Sequence, residues 1–338
     1  MAKRERITET KSSYFAEDKK NYSFVSSGCT LLDCALGGGF PLGRIVNIVG
    51  DKSTSKTALA TEAIINFVRA YPDGSPAYRD TEAAFDQEYA EAMGLNLERV
   101  DFGDEDKPVI TVEDFARDFE EFLNNRIKTN SAGVYVLDSL DALSDDTEMS
   151  QDIGKGTYGM AKAKTMSILL RKLVRKVERT KVLLIVISQV RENIGVSFGD
   201  KYRRSGGKAL DFYASQILFL AHLGFLKKEI NKVKRPYGIE IRSKVKKNKV
   251  GLVGRECNFQ FIFGYGIEDL GASVEWLKEV GRLKDVDIAQ TQVKDYLKEL
   301  ESLTPKDYNT ENTRIAKVVR KVWREIEVSF LPKRAKYA

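Results

Sequence analysis

The chain has 338 residues, 42% hydrophobic and 31% charged, with a formal net charge of +6; this suits a globular protein with a sizeable core and a smaller satellite unit, and no run of about 18 apolar residues is present to span a membrane. The single histidine, His222, rules out a His-based triad or multi-His metal site, and the three cysteines, Cys29, Cys34 and Cys257, lack metal-ligand spacing and read as reduced thiols in a cytoplasm. Any chemistry has to come from carboxylates, Lys, Arg, Gln and a metal bound by oxygen.

Residues 1–27 are polar and aperiodic apart from Tyr14-Phe15 and Tyr22–Val25, and read as an arm; charged Met1–Arg6 is not expected to be a secretory signal. From Gly28 to about residue 280, apolar runs (Ile45–Val49, Val134–Leu137, Val182–Ile187, Ile217–Leu220) alternate with helical patterns such as Val112–Ile127. That alternation predicts an α/β core with a mostly parallel central sheet. Between Tyr237 and Phe263, Ile239–Ile241 and Asn258–Phe263 predict added antiparallel strands. Residues 281–338 read as a small basic C-terminal domain, helical or α/β. Its helices are marked by Val293, Tyr296, Leu297 and Leu300, and by Ile315, Val318, Val319, Val322, Trp323 and Ile326, with Leu303–Glu311 as the loop between them.

Gly50-Asp51-Lys52-Ser53-Thr54-Ser55-Lys56-Thr57 lies between the Ile45–Val49 run and a helical segment, Ala58–Val68, with Leu59, Ala63, Ile64 and Phe67 on one face. Strand, turn and helix form the context of a phosphate-binding P-loop, in which successive backbone N–H groups cradle phosphates at a helix N-terminus. Lys56 would reach the β- and γ-phosphates, and Thr57 would hold Mg²⁺. The usual pattern has Gly where this chain has Ser55, and a Ser/Thr-rich surface turn is the alternative. Asp138 ends the apolar run Val134–Leu137, as the Mg²⁺-side carboxylate of such a site does, and Glu82 in Asp80-Thr81-Glu82 is the candidate to activate water. Lysines and arginines crowd 227–249 and the C-terminus, as solvated faces or as polyanion-attracting patches.

The order of these motifs, with Gly28–Val46, Asp80–Ala90, Leu137–Leu143, Ile187–Arg191, Gly206–Ser215 and Lys247-Asn248-Lys249, resembles the bacterial RecA recombinase family over roughly residues 24–285. The resemblance implies a RecA-like P-loop ATPase core: an ATP-dependent strand-exchange protein with DNA-stimulated hydrolysis, forming helical filaments on single-stranded DNA. It makes Glu82 the catalytic glutamate and Asp138 the Walker B aspartate. Asp86 and Tyr89 become the adenine contacts, and Gln189 the sensor linking γ-phosphate to the DNA loops. Lys247 and Lys249 would reach a neighbour's ATP, and Phe212 would couple subunits at their interface. ATP and Mg²⁺ are the implied cofactors. Single- and double-stranded DNA, further copies in a filament or ring, and loader or single-strand-binding proteins are the implied partners, with no membrane.

Two DNA loops are implied, near 151–159 and 192–207. Their residues agree: Lys155, Lys201, Arg203 and Arg204 suit backbone phosphates, and Tyr158, Ile194, Phe198 and Tyr202 suit stacking on bases, while Arg191 directly upstream of the second loop is a further DNA-binding candidate. Three features depart from the family: Ser55, suggesting a phage-encoded variant; the arm, in which Tyr22–Val25 as an added strand would replace a leading helix docked on the neighbour; and a basic rather than acidic C-terminus. A hexameric helicase of the DnaB kind and an ATP-binding assembly protein with weak turnover are the rival readings.

Overall fold

The computed structural model describes residues 22–144, 159–192, 202–204, 209–334 and 336. β1 (Phe24–Val25) pairs antiparallel with β2 (Phe40–Pro41), and α1 (Thr30–Leu36) lies between them in sequence. The strand expected at Tyr22–Val25 thus pairs within its own chain. Val25 is fully buried, and Asp33 of α1 accepts hydrogen bonds from Ser27 N at 2.8 Å and Ser26 Oγ at 2.6 Å.

β3 (Ile45–Gly50) leads through the loop 51–55 into α2 (Lys56–Ala70). β4 (Ser75–Asp80), α3 (Gln87–Ala92), α4 (Val112–Thr129), β5 (Gly133–Asp138), α5 (Gly159–Glu178), β6 (Val182–Glu192), β7 (Tyr202–Arg204) and α6 (Ala209–Tyr213) follow. β8 (Gln216–Ile230), β9 (Val233–Asn248), β10 (Glu256–Ile262) and β11 (Gly266–Glu268) complete the sheet. The strand order is β11-β10-β9-β8-β3-β6-β5-β4, with β7 paired to β6. β8, β3, β6, β5 and β4 run parallel and β9 to β11 antiparallel. β3 and β5 are buried along their whole length, which is why they read as unbroken apolar runs.

The sheet separates two apolar layers. Val46 and Ile48 of β3 pack with α1 and α2, while Ile45 and Val49 pack with α4 and α5. α4 starts at a capping box between Thr111 and Asp114 and buries Phe115, Phe119, Phe122 and Leu123. β8 and β9 form a long hairpin closed by Asn231 and Lys232, both with positive φ (51° and 67°), the two-residue turn whose twist matches paired strands.

At the C-terminal side, α7 (Asp269–Glu279), α8 (Val293–Leu300) and α9 (Pro305–Ser329) pack back on the core. Ile315, Val319 and Val322 of α9 join the same apolar layer as α1 and α2. One sequence expectation fails here: Leu303–Glu311 is not a loop. Thr304 caps α9, its Oγ1 accepting from Asp307 N at 3.2 Å. Pro305 sits in the first turn, where its missing N–H has no partner to lose. Among the described residues, no helix is long and apolar enough to cross a membrane.

Candidate nucleotide site

Parallel pairing brings the carboxyl ends of four strands together, the edge where open α/β sheets place ligands. Gly50 lies beside Gln189 in the β3–β6 register, and Asp80 beside Asp138 in the β4–β5 register. Gly50 has to lack a side chain: a Cβ there would collide with Thr54 Oγ1 and lie 3.0 Å from the Leu220 carbonyl. Asn47 ties β3 to β6, donating to Val186 O and Ser188 Oγ at 2.8 Å each.

The loop Asp51–Ser55 coils in front of α2, whose first N–H groups have no partner within the helix. Ser53 and Ser55 both occupy the left-handed region, with φ of 58° and 55°. This is the backbone that makes Gly usual at the Ser55 position, and a side chain there is strained. Lys56 Nζ donates to Asp51 O at 2.7 Å, folding the ammonium over the loop. Burial pulls its pKa down, against the pull of Asp138 and Glu82. Thr57 Oγ1 donates to Asp138 Oδ2 at 2.5 Å, and Tyr78 OH donates to the same oxygen at 2.6 Å. Burial pushes the Asp138 carboxyl up, and these two donors pull it back. A phosphate would favour charged Lys56, and a cation would favour ionised Asp138.

Asp80 shapes the turn that presents Glu82. Its carboxylate accepts from Glu82 N at 3.1 Å and from Ala84 N and Phe85 N at 2.7 Å each. Glu82 Oε1 accepts from Ser139 Oγ, and from Gln189 Nε2 at 2.7 Å. Gln189 N in turn donates to Asp141 Oδ2 at 2.7 Å. Asp86 caps α3 by accepting from Tyr89 N at 2.9 Å, and the Tyr89 ring stacks on Phe261 at 6.4 Å between centroids. One cleft of about 440 Å³ is lined both by Ser53–Ala58 and by Asp86 and Tyr89.

Lys247 and Lys249 are not in that cleft. Lys247 pairs with Ile217 near the start of β8, which places it toward the opposite edge of the parallel strands from the phosphate loop. Their ammonium groups donate to Phe212 O at 3.0 and 3.1 Å, at the C-terminal end of α6. The Phe212 side chain is 70% exposed. The three residues form one cluster within the chain.

Lys155, Tyr158, Ile194, Phe198 and Lys201 lie outside the described residues. Arg191, Tyr202, Arg203 and Arg204 have strand positions: Arg191 pairs with Arg203, Glu192 with Tyr202 and Val190 with Arg204. The stretch read as a loop over 192–207 therefore begins and returns on an antiparallel ribbon that continues directly from Gln189. Sequence reading missed Tyr78, Ser139, Asp80 and Asp141. The last three sit within motifs already singled out, while Tyr78, an ordinary strand residue, carries no local signal.

The RecA N-terminal domain family matches residues 11–268. The protein RecA of Nostoc punctiforme is 35% identical over 257 residues, covering 76% of this chain and 67% of that protein. The protein RecA of Arthrospira platensis is 34% identical over 260 residues, covering 77% of this chain and 67% of that protein. For the protein RecA of Thermosynechococcus vestitus, the identity is 35% over 257 residues, with 76% and 68% covered.

Proposed function

The chain belongs to the RecA family, DNA-dependent ATPases that perform strand exchange in homologous recombination, and on that premise we propose how its residues divide the work. ATP is the nucleotide. Lys56 and the amides opening α2 hold its phosphates, and Asp86 and Tyr89 hold its base. The residues fit a magnesium ion by the chemistry of their donors, because the Thr57 hydroxyl and the Asp138 carboxylate are hard oxygen ligands side by side next to the phosphate loop. When bound, that ion neutralises charge on the phosphates. Glu82 takes a proton from water as the water oxygen bonds to the γ-phosphorus and the bond to the ADP oxygen breaks.

The observation that carries this reading is the 2.7 Å hydrogen bond from Gln189 Nε2 to Glu82 Oε1. It joins the water-activating carboxylate to the strand that runs on into the second DNA loop. DNA bound at 151–159 and 192–207 would reposition Gln189 and so tune Glu82. Lys155, Arg191, Lys201, Arg203 and Arg204 hold phosphates, and Tyr158, Ile194, Phe198 and Tyr202 meet bases. Lys247 and Lys249 serve the ATP of a neighbouring copy in the filament, a role supported by their separation from their own chain's cleft; Phe212 beside them is the interface residue. Loader and single-strand-binding proteins are further partners. The free cysteines support a cytoplasmic location.

The test is ATP turnover with and without oligo-dT for the wild type and Glu82→Gln, with electron micrographs of each. DNA-stimulated turnover and filaments are expected for the wild type, and filaments without turnover for the variant. Turnover by Glu82→Gln at the wild-type rate would overturn the assignment.

A further inference from the structure

Besides Asp86 and Tyr89, the cleft is lined by residues of the antiparallel half of the sheet. In the strand register Phe225 of β8 lies opposite Ile239 of β9, and Ile239 lies opposite Phe261 of β10. Directly opposed residues project from the same face. The three side chains therefore form one apolar strip across three strands. Exposure rises along it: Phe261 is 1% exposed, Ile239 4% and Phe225 54%. Tyr89 stacks on the inner end, and all three strip residues line the cleft that also contains Ser53–Ala58. The Phe225 ring meets His222 edge-on at 4.8 Å and also lines the cleft.

A large aromatic ring left half-exposed where a cleft opens offers a flat apolar surface to a ligand. The phosphate loop would fix one end of a nucleotide, and the apolar strip lining the same cleft then offers its planar heterocycle a surface. We propose that Phe225, carried by the β8–β9 hairpin, is a base-contact residue of the nucleotide site and forms, with Tyr89, the aromatic walls that hold the heterocycle. The inference rests on the nucleotide reading above and adds a residue to it. Phe225 recognises the base by stacking area and not by hydrogen bonds, so it acts on the heterocycle and leaves the phosphates untouched.

The test compares equilibrium binding of ATP and of inorganic tripolyphosphate to the full chain without DNA, for the wild type, Phe225→Ala and Phe225→Tyr. Because the ring is 54% exposed, its truncation leaves the core intact. Phe225→Ala is expected to weaken ATP binding about tenfold, or about 1.4 kcal/mol, with tripolyphosphate binding unchanged and Phe225→Tyr restoring ATP binding. An ATP loss of threefold or more that spares tripolyphosphate and is rescued by Tyr supports the proposal. A smaller loss, an equal loss for tripolyphosphate, or no rescue by Tyr overturns it. Lys56→Ala in the same assay separates the two levels. If it leaves ATP binding intact, the nucleotide reading falls; if it weakens ATP while Phe225→Ala does not, only the present inference falls.

Discussion

Gln189 donates its side-chain amide to Glu82 Oε1 at 2.7 Å, and its backbone N–H donates to Asp141 Oδ2 at 2.7 Å. One residue is thus held from two sides, opposite Gly50 at the end of β3. Gln189→Ala should uncouple DNA from hydrolysis. A hydrogen bond to a charged group is worth roughly 1.5–3 kcal/mol, so stimulation by oligo-dT should fall at least about tenfold more than the DNA-free rate does. Equal loss of both rates would assign Gln189 to the chemistry and not to the coupling.

Glu82→Gln keeps an acceptor for Ser139 and Gln189 but cannot take a proton. Turnover should fall about 10²–10⁴-fold, the range for losing a general base, while ATP affinity stays close to that of the wild type. Single-turnover kinetics together with a binding isotherm would separate the two quantities.

Ser55 holds a left-handed backbone at φ 55°, ψ 34°. Ser55→Gly should relieve about 1 kcal/mol of strain, partly offset by the extra freedom of an unfolded glycine. Preserved or improved nucleotide affinity and an unchanged or higher Tm are expected. A large drop in affinity would mean that the Ser55 hydroxyl itself binds phosphate.

Lys247 and Lys249 cap α6 in their own chain and sit away from their own cleft. Lys249→Ala should therefore lower DNA-stimulated turnover. Mixing it with Glu82→Gln subunits should recover part of that turnover, because each subunit supplies what the other lacks at a shared boundary. Absence of recovery at every mixing ratio would show that the lysine acts within one chain.

On the proposed assignment, phosphate contacts by Lys201, Arg203 and Arg204 would set a salt dependence. Each neutralised cation should flatten the log–log slope of oligo-dT binding by about one unit. Phe198→Ala should instead cost about 1–3 kcal/mol with the slope nearly unchanged. Salt titrations that leave both affinity and slope untouched would move the DNA site elsewhere.

Glu62 of α2 accepts from Ile267 N at 3.0 Å, and burial pushes its carboxyl up to about 7 from an ordinary 4.5. The folded chain therefore holds this proton more tightly than the unfolded chain. The resulting stability is complete below the unfolded value and is lost as pH rises through about 7. Partial access to water limits the size to about 1–3 kcal/mol. Glu62→Gln keeps the acceptor and removes the titration, so its stability should match the wild type near pH 4.5 and exceed it near pH 8. Parallel wild-type and variant curves across that range would refute this.

Local pattern was enough for the phosphate loop, the buried parallel strands and the face of α2, because each depends on residues adjacent in sequence: Leu59, Ala63, Ile64 and Phe67 recur at helical spacing and are all buried. Glu82, Asp138 and Gln189 were legible through motifs in a familiar order. Pro305 misled, because a proline inside a polar stretch reads as a loop unless the preceding Thr304 cap is recognised. What lay beyond the sequence was pairing. Nothing local says that Gln189 comes beside Gly50, that Tyr78 shares an oxygen of Asp138 with Thr57, or that Phe225 reaches the cleft through Ile239 and Phe261. Strand order and register join segments far apart along the chain, and only the folded sheet specifies them. The sequence by itself determined the type of chemistry, and tertiary pairing decided which side chains stand close enough to take part.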